Sequence, residues 1–476
     1  MLLPGCFLLG CTGADDVRGI DGTAGFAPYP DIDHGAMARR IAAPGDSLAA
    51  VNVGELGLEP DGSIRLWRPR LADGGKLFVL ERYAPDGKLE DRLESPELED
   101  GYHHGDGLRM VFHPDGDLTL VRTMPGGAIE YVRRSATFAE TGRVTVPAEG
   151  PVALPDFYRV ADDGQFTTEP GGMSATPPYT TFVADGAGGF FGTQIFVNST
   201  RDWGGVRLVH LDRSYAMTAA TWVLPGNELP VARYGTPIVI DGKVVTPVFR
   251  YAFEEVHLLV DHQHRVWALS GGPGSASGAL SQAFGRPVEL RDSGDMFLLR
   301  YSESLQLEAV VSLPAANQQM LGSLAEGPGG AIGVASLSTE SRAIEPNKTF
   351  NYNVWFASVD RDGNLIGQRE LDLDQDDWPY ALAACGAGFC IAGETATRWV
   401  DTGSQVEIAK GFLVDVGIDG SSVRLSTLHG PRRNVIERMA TLGDGSVVFV
   451  GTTDGPITHT DPGQRSMSAL LGVMAF

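Results

Sequence analysis

The sequence predicts an all-β chain folded as a β-propeller, with eight four-stranded blades as the reading and seven as the alternative. Three observations lead there. A unit of two hairpins recurs along most of the chain, at a period of roughly 45 to 70 residues, which suits propeller blades with loop insertions. The 61 glycines and 29 prolines among 476 residues fall too densely for long helices. The last copy of the unit stops after its third strand, while a short strand-like segment stands just before the first copy.

Taken in order, the first copy is "AAVNVGELGLEPDGSIRLWRPR" with "GKLFVLERYAPDGKLEDRLES", followed by "GLRMVFHPDGDLTLVRT" with "AIEYVRRSATFAETGRVTVPA". "YTTFVADGAGGFFGTQIFVN" with "VRLVHLDRSYAMTAATWVLPG" makes a third. "YGTPIVIDGKVVTPVFRYA" with "VHLLVDHQHRVWALSGG" is read as the fourth, and "ALSQAFGRPVELRD" with "DMFLLRYSESLQLEAVVSLP" as a weak fifth. Three clear copies follow: "MLGSLAEGPGGAIGVASLS" with "NVWFASVDRDGNLIGQRELDL", "YALAACGAGFCIAGETAT" with "GFLVDVGIDGSSVRLSTLHG", and "ERMATLGDGSVVFVGTTDG" with "SALLGVMAF". Each has four strands, a to d, and Gly or Asp-Gly turns close the a–b and c–d hairpins. The missing strand d of the last copy is assigned to "AMARRIAAP" (36–44), which would seal the ring and hide both sheet edges. Two β-sandwiches are the competing architecture, but they do not explain a regular two-hairpin repeat.

The stretches "FLVDVGIDGSSVRLSTLHG", "MATLGDGSVVFVGTTDG" and "FASVDRDGNLIGQRELDL" resemble the glycine-rich SBBP-type β-propeller repeats of secreted and lipid-anchored myxobacterial and related bacterial proteins. The resemblance is clear over residues 320–476. It implies a propeller fold and a cell-envelope address, and no activity.

The start, "MLLPGCFLLGCTGADD", resembles a lipoprotein signal in which Leu8-Leu9-Gly10-Cys11 is the lipobox and Cys11 the acylated residue. No Lys or Arg precedes Arg18, whereas such signals begin with a basic segment. The domain expectation is therefore a signal over 1–10, a tether over 11–35 and one propeller over 36–476. Cys385 and Cys390 flank the turn Gly386-Ala387-Gly388-Phe389 between strands a and b of one unit. Opposed positions of an antiparallel hairpin lie about 4.5 to 5.5 Å apart, within disulfide reach. Such a bond points to an oxidising compartment outside the cytosol.

The formal net charge of -23 repels phosphate backbones and anionic lipid, so nucleic acid is not an expected partner and membrane contact is expected only through a lipid anchor. The b–c and d–a connections emerge on one face and carry the long loops, which makes that face the expected binding surface. Tyr102, His103, His104, Trp203, Trp378 and Trp399 are its candidate contacts, although each also suits packing between blades. No cofactor and no metal site is expected. His103, His104 and Asp106 are sequence neighbours whose side chains diverge, His257, Asp261, His262 and His264 sit at a hairpin tip where strand c turns into d, and Asp372, Asp374 and Asp376 read as a solvated strand edge. The chain has no G-x-S-x-G elbow, phosphate-binding loop or H-E-x-x-H, and "SVDRDG" gives only a broken match to a sialidase box. The expected function is a non-catalytic envelope lipoprotein or secreted scaffold that binds a protein or glycan through the loop face. The alternative is an extracellular propeller hydrolase or lyase acting on polysaccharide.

Overall fold

The computed structural model describes residues 27–28, 37–40, 55–72, 75–94, 109–124, 128–147, 152–153, 157–160, 166–169, 172–175, 181–197, 203–228, 233–234, 238–240, 243–245, 248–249, 256–273, 277–290, 293–313, 318–339, 352–373, 376–396, 409–421, 423–428, 434–453 and 468–474. Seven antiparallel meanders succeed one another. Blade 1 is Glu55–Leu58, Ile64–Ala72, Gly75–Tyr83 and Leu89–Glu94; blade 2 is Arg109–Phe112, Leu118–Thr123, Ile129–Arg134 and Glu140–Val146. Blade 3 comprises Phe182–Ala184, Phe190–Val197, Trp203–Leu211 and Met217–Glu228, and blade 4 comprises His257–Val260, Val266–Pro273, Ser293–Tyr301 and Leu307–Leu313. Blade 5 runs through Gln318–Glu326, Ile332–Thr339, Tyr352–Val359 and Leu365–Leu371, and blade 6 through Asp376–Cys385, Gly388–Ala396, Ala409–Gly417 and Val423–Leu428. Blade 7 has Asn434–Thr441, Val447–Thr453 and Ser468–Met474 from the C-terminal end. Its fourth strand is Met37–Arg40, paired antiparallel from Met37 with Val473 to Arg40 with Leu470. The expected closure by an N-terminal outer strand is therefore present.

The chain is the expected all-β propeller, and its blade count is seven, the alternative, rather than eight. "VHLLVDHQHRVWALSGG" forms strands a and b of blade 4 rather than c and d, and "DMFLLRYSESLQLEAVVSLP" completes that same sheet. The stretch taken as a weak hairpin between them holds a helix, Ser277–Phe284. Its end was written in the sequence: Gly285 adopts φ +62°, its N–H bonds the Gln282 carbonyl and the Arg286 N–H bonds that of Ser281. That is a Schellman stop, with Pro287 just beyond. Leu280 and Phe284, one turn apart, then dock on the core between blades 3 and 4. "YGTPIVIDGKVVTPVFRYA" lies in the connection from blade 3 to blade 4, where Ile238–Ile240 pairs only with Lys243–Val245.

Strand a lies at one edge of every sheet, and each strand a touches that of both neighbours all the way round, from blade 1 through blade 7 and back. The seven inner strands thus enclose the axis. Seven apolar clusters of buried residues match the seven blade-to-blade interfaces one for one. A fully buried Leu, Val or Phe contributes roughly 1.5–3 kcal/mol, so each interface is a substantial core in its own right.

The a–b and c–d turns share one face and mostly one design. In twelve of them the fourth turn residue has positive φ, and ten of these have the pattern of a type I turn followed by a bulge. Glycine fills the position at Gly116, Gly188 and Gly363, as the Gly-turn pattern predicts, but blades 2, 3 and 4 place Phe138, Tyr215 and Leu305 there. These three are buried in the neighbouring interface, and that burial offsets the strain of a left-handed backbone. The leading aspartate fixes the turn: Asp261 Oδ1 accepts from the N–H groups of Gln263 and Arg265, and Asp212 and Asp360 repeat the pattern. Arginines then clamp four of the blades to the next. Arg133 of blade 2 donates to the Gly188 carbonyl at 2.7 Å, Arg265 of blade 4 to Arg361 at 3.1 Å and Arg369 of blade 5 to Gly420 at 3.0 Å; Arg65 of blade 1 reaches the Gly116 carbonyl.

The disulfide joins Cys385 and Cys390 with Cα atoms 5.7 Å apart. The two are not opposed, as the sequence suggested. Cys385 faces Gly388 and Cys390 faces Ala383, because the turn has two residues, with Gly386 at φ +52°, rather than four. Both cysteines belong to the core between blades 6 and 7.

Candidate functional site

At the loop-bearing end, the inner strands of blades 5, 6 and 7 each carry a β-bulge at which the pairing register skips Leu321, Tyr380 and Glu437. A bulge turns a side chain away from the regular alternation and bends the strand. Opposite the bulges of blades 6 and 7 stand Gly393 and Gly451, where a Cβ would come within 1.8 Å of the Trp378 and Val435 carbonyl oxygens. The glycine in "CIAGET" and in "VFVGTT" is therefore a requirement of the bulged strand.

The two re-aimed polar side chains are held by strand b. Tyr380 donates its hydroxyl to Glu394 Oε1 at 2.7 Å, and Thr452 donates to Glu437 Oε1 at 3.1 Å. Between blades 5 and 6, the Tyr352 and Trp378 rings meet at 4.7 Å and 48°, both partly exposed. On the other face of the blade 5 sheet, toward blade 4, Asn353 Nδ2 donates to Glu370 Oε1 at 2.8 Å, and Ser338 donates to the same oxygen at 3.3 Å. Asp377 is buried and accepts the Leu373 N–H at 2.7 Å.

Nearer the axis, Arg438 follows the blade 7 bulge and is partly exposed. Its Nη1 donates to the Glu437 carbonyl oxygen at 2.9 Å. His257 opens strand a of blade 4. Burial, and then the charge of Arg438, push its pKa down to about 4, so it is neutral at pH 7. Blades 4 and 7 are not neighbours, so this influence acts across the axis. The inner strands elsewhere carry aliphatic side chains, including Leu56, Leu58, Val183, Leu258, Leu324 and Ala440, each partly buried against an interface cluster.

Of the expected contacts, Trp378 lies in this group. Trp203 starts strand c of blade 3 at the same end and pairs in register with Glu228. Tyr102, His103, His104, Trp399 and the lipidation candidate Cys11 lie outside the described residues. Asp372 and Asp376 do not share one strand, since strand d of blade 5 ends at Leu371 and the next strand begins at Asp376; Asp374 lies outside the described residues. The "HLLVDHQH" tip is the a–b turn of blade 4, still on the short-turn face. There Asp261 is buried; burial opposes its ionisation, but hydrogen bonds from Trp267 and Arg265 outweigh that and hold its pKa below the usual value. His262 pairs with Glu326 of blade 5.

Tyr352, Tyr380, Glu394, Glu437, Arg438 and His257 were not singled out for binding from the sequence. One signal was available. The inner-strand stretch "PYALAA" of blade 6 becomes "IERMAT" in blade 7, with two charges where its repeat partner has none.

No family profile and no curated protein matches the chain. Among solved structures it is similar to the polysaccharide lyase Uly1, at 11% identity over 90% of this chain and 92% of that one, with a TM-score of 0.46. An α-L-arabinofuranosidase of Fusarium graminearum in complex with arabinobiose matches at 9% identity over 78% and 94%, TM-score 0.37. A protein of unknown function from Dyadobacter fermentans matches at 11% identity over 92% and 99%, TM-score 0.36. At such identities and TM-scores the likenesses bear on neither ligand nor chemistry, and the propeller assignment rests on the closed ring of strands and its seven interfaces.

Proposed function

We propose that this propeller is a non-catalytic binding module of the cell envelope, secreted or tethered through Cys11, that holds a glycan on its loop-bearing face. The observation that supports this reading is the partly exposed Tyr352–Trp378 pair between blades 5 and 6 at the loop-bearing end. Aromatic faces receive the apolar side of a sugar ring. The envelope address rests on the SBBP-type repeat pattern and the lipobox-like start, with the Cys385–Cys390 disulfide in keeping with an oxidising compartment. Retention of envelope polysaccharide fractions by immobilised protein tests the reading. Tyr352→Ala with Trp378→Ala should weaken retention about tenfold or more while leaving the melting curve cooperative. Undiminished retention by the double variant would reject the site.

A second reading, hydrolysis or eliminative cleavage of an extracellular polysaccharide, is favoured by the Tyr380–Glu394 contact, a phenol poised on a carboxylate. Chain cleavage that is lost in Tyr380→Phe would establish that reading over the first.

A further inference from the structure

We propose that the axis of the ring contains an anion subsite, built on Arg438 of blade 7 with His257 of blade 4 opposite, that takes a carboxylate or sulfate group of an acidic glycan lying over the ring mouth. The inference rests on the glycan reading above and narrows it from glycans to acidic ones.

Three features support it. Arg438 belongs to an inner strand, so its partly exposed guanidinium has access to the axis. A guanidinium offers five N–H donors in a planar fork, and among the described residues a single donor is used, on the backbone carbonyl of the preceding residue. Among the described residues no carboxylate pairs with Arg438. The nearest in sequence, Glu437, accepts from Thr452. The strand arginines of the turn face differ: Arg65 and Arg82 pair with Glu59, Arg133 with Asp117, Arg265 with Asp261.

The surroundings add to the case. Aliphatic inner-strand side chains lower the local dielectric, which strengthens a charge-assisted pair and favours a planar oxyanion that can accept two N–H bonds. His257, neutral, adds no second cation, and such a site selects one charged group rather than attracting polyanions at large. With a formal charge of -23 on the chain, a bare electrostatic attraction for acidic polymers is absent. Specific capture therefore needs both the local guanidinium and the aromatic pair. Trp378 and Arg438 sit on adjacent inner strands, which touch each other. The aromatic pair is also why a sugar polymer is favoured over an acidic peptide as carrier of the anion.

Calorimetric titration of the full chain with a glucuronate oligomer, a neutral glucose oligomer of equal length and a glutamate-rich peptide tests this. Wild type should bind the uronate oligomer at least tenfold more tightly than the neutral one. Arg438→Gln should lose that preference and leave the neutral sugar unchanged, Arg438→Lys should keep only part of it, and Tyr352→Ala with Trp378→Ala should weaken both sugars. Equal binding of the two sugars, with Arg438→Gln silent and the aromatic variant weak, would overturn the subsite and leave the glycan reading standing. Binding of the peptide alone, lost in Arg438→Gln, would overturn both.

Discussion

The two ends of the same strands treat charge in opposite ways. On the short-turn face, Asp261, Asp185 and Arg133 are buried and tied into turns, and arginines reach across to the carbonyl groups of the next blade. At the loop-bearing end the inner strands bulge, tyrosine and glutamate side chains are re-aimed, and the Arg438 guanidinium stands without a carboxylate among the described residues. One end uses polar groups to fix the blades in register. The other holds polar groups ready for something that is not part of the fold.

The sharpest way to break this contrast is to remove a turn carboxylate. Asp261→Ala strips the acceptor from two backbone N–H groups, the Trp267 indole and the Arg265 guanidinium, all within a buried turn. A loss of about 3–5 kcal/mol is expected in denaturant unfolding, because the partners remain buried and unpaired.

Acid titration gives the next largest effect. His113 is buried against Thr119, with Nε2 at 2.8 Å from its hydroxyl, and burial followed by the nearby Arg133 charge pushes its pKa down to about 4 from 6.5. The unfolded chain therefore binds more protons than the folded one between these values. Stability should fall as the pH drops from about 6.5 to about 4, by on the order of 3 kcal/mol from this group. His113→Asn should flatten the midpoint-versus-pH curve over that window; an unchanged slope would show that the histidine is not held neutral.

The smallest effect sharpens the comparison directly. Arg133→Gln should cost about 2 kcal/mol through its lost bonds to Asp117 and Gly188, whereas Arg438→Gln should change stability by less than about 0.5 kcal/mol. Equal losses would mean that Arg438 serves the fold after all.

Much of the ring was legible because it is written in local chemistry. The Gly-turns, the closing strand at Met37–Arg40 and the Cys385–Cys390 pairing follow from spacing and from which edges must be covered. The blade count was not, because "YGTPIVIDGKVVTP" alternates like a strand pair while lying outside the blades, and a short helix with its own Gly stop interrupts blade 4. Turns led by Ser135, Asp212 and Ser302 hid their bulge behind Phe138, Tyr215 and Leu305, where tertiary burial replaces glycine. The electrostatic influence of Arg438 on His257 was beyond reach of any local pattern, since it depends on which blades end up facing each other.

The mating of Met37–Arg40 with Ser468–Met474 joins residues from opposite ends of the sequence. Contacts of such span are the slowest to form, since the whole intervening polymer must be ordered or looped before the two segments meet. Until then the Ser468–Met474 edge is open to any strand that arrives first, including the equivalent segment of another copy. Folding at low concentration, or in the company of a holdase, is the condition under which this chain should reach its own closure in preference to an exchanged dimer.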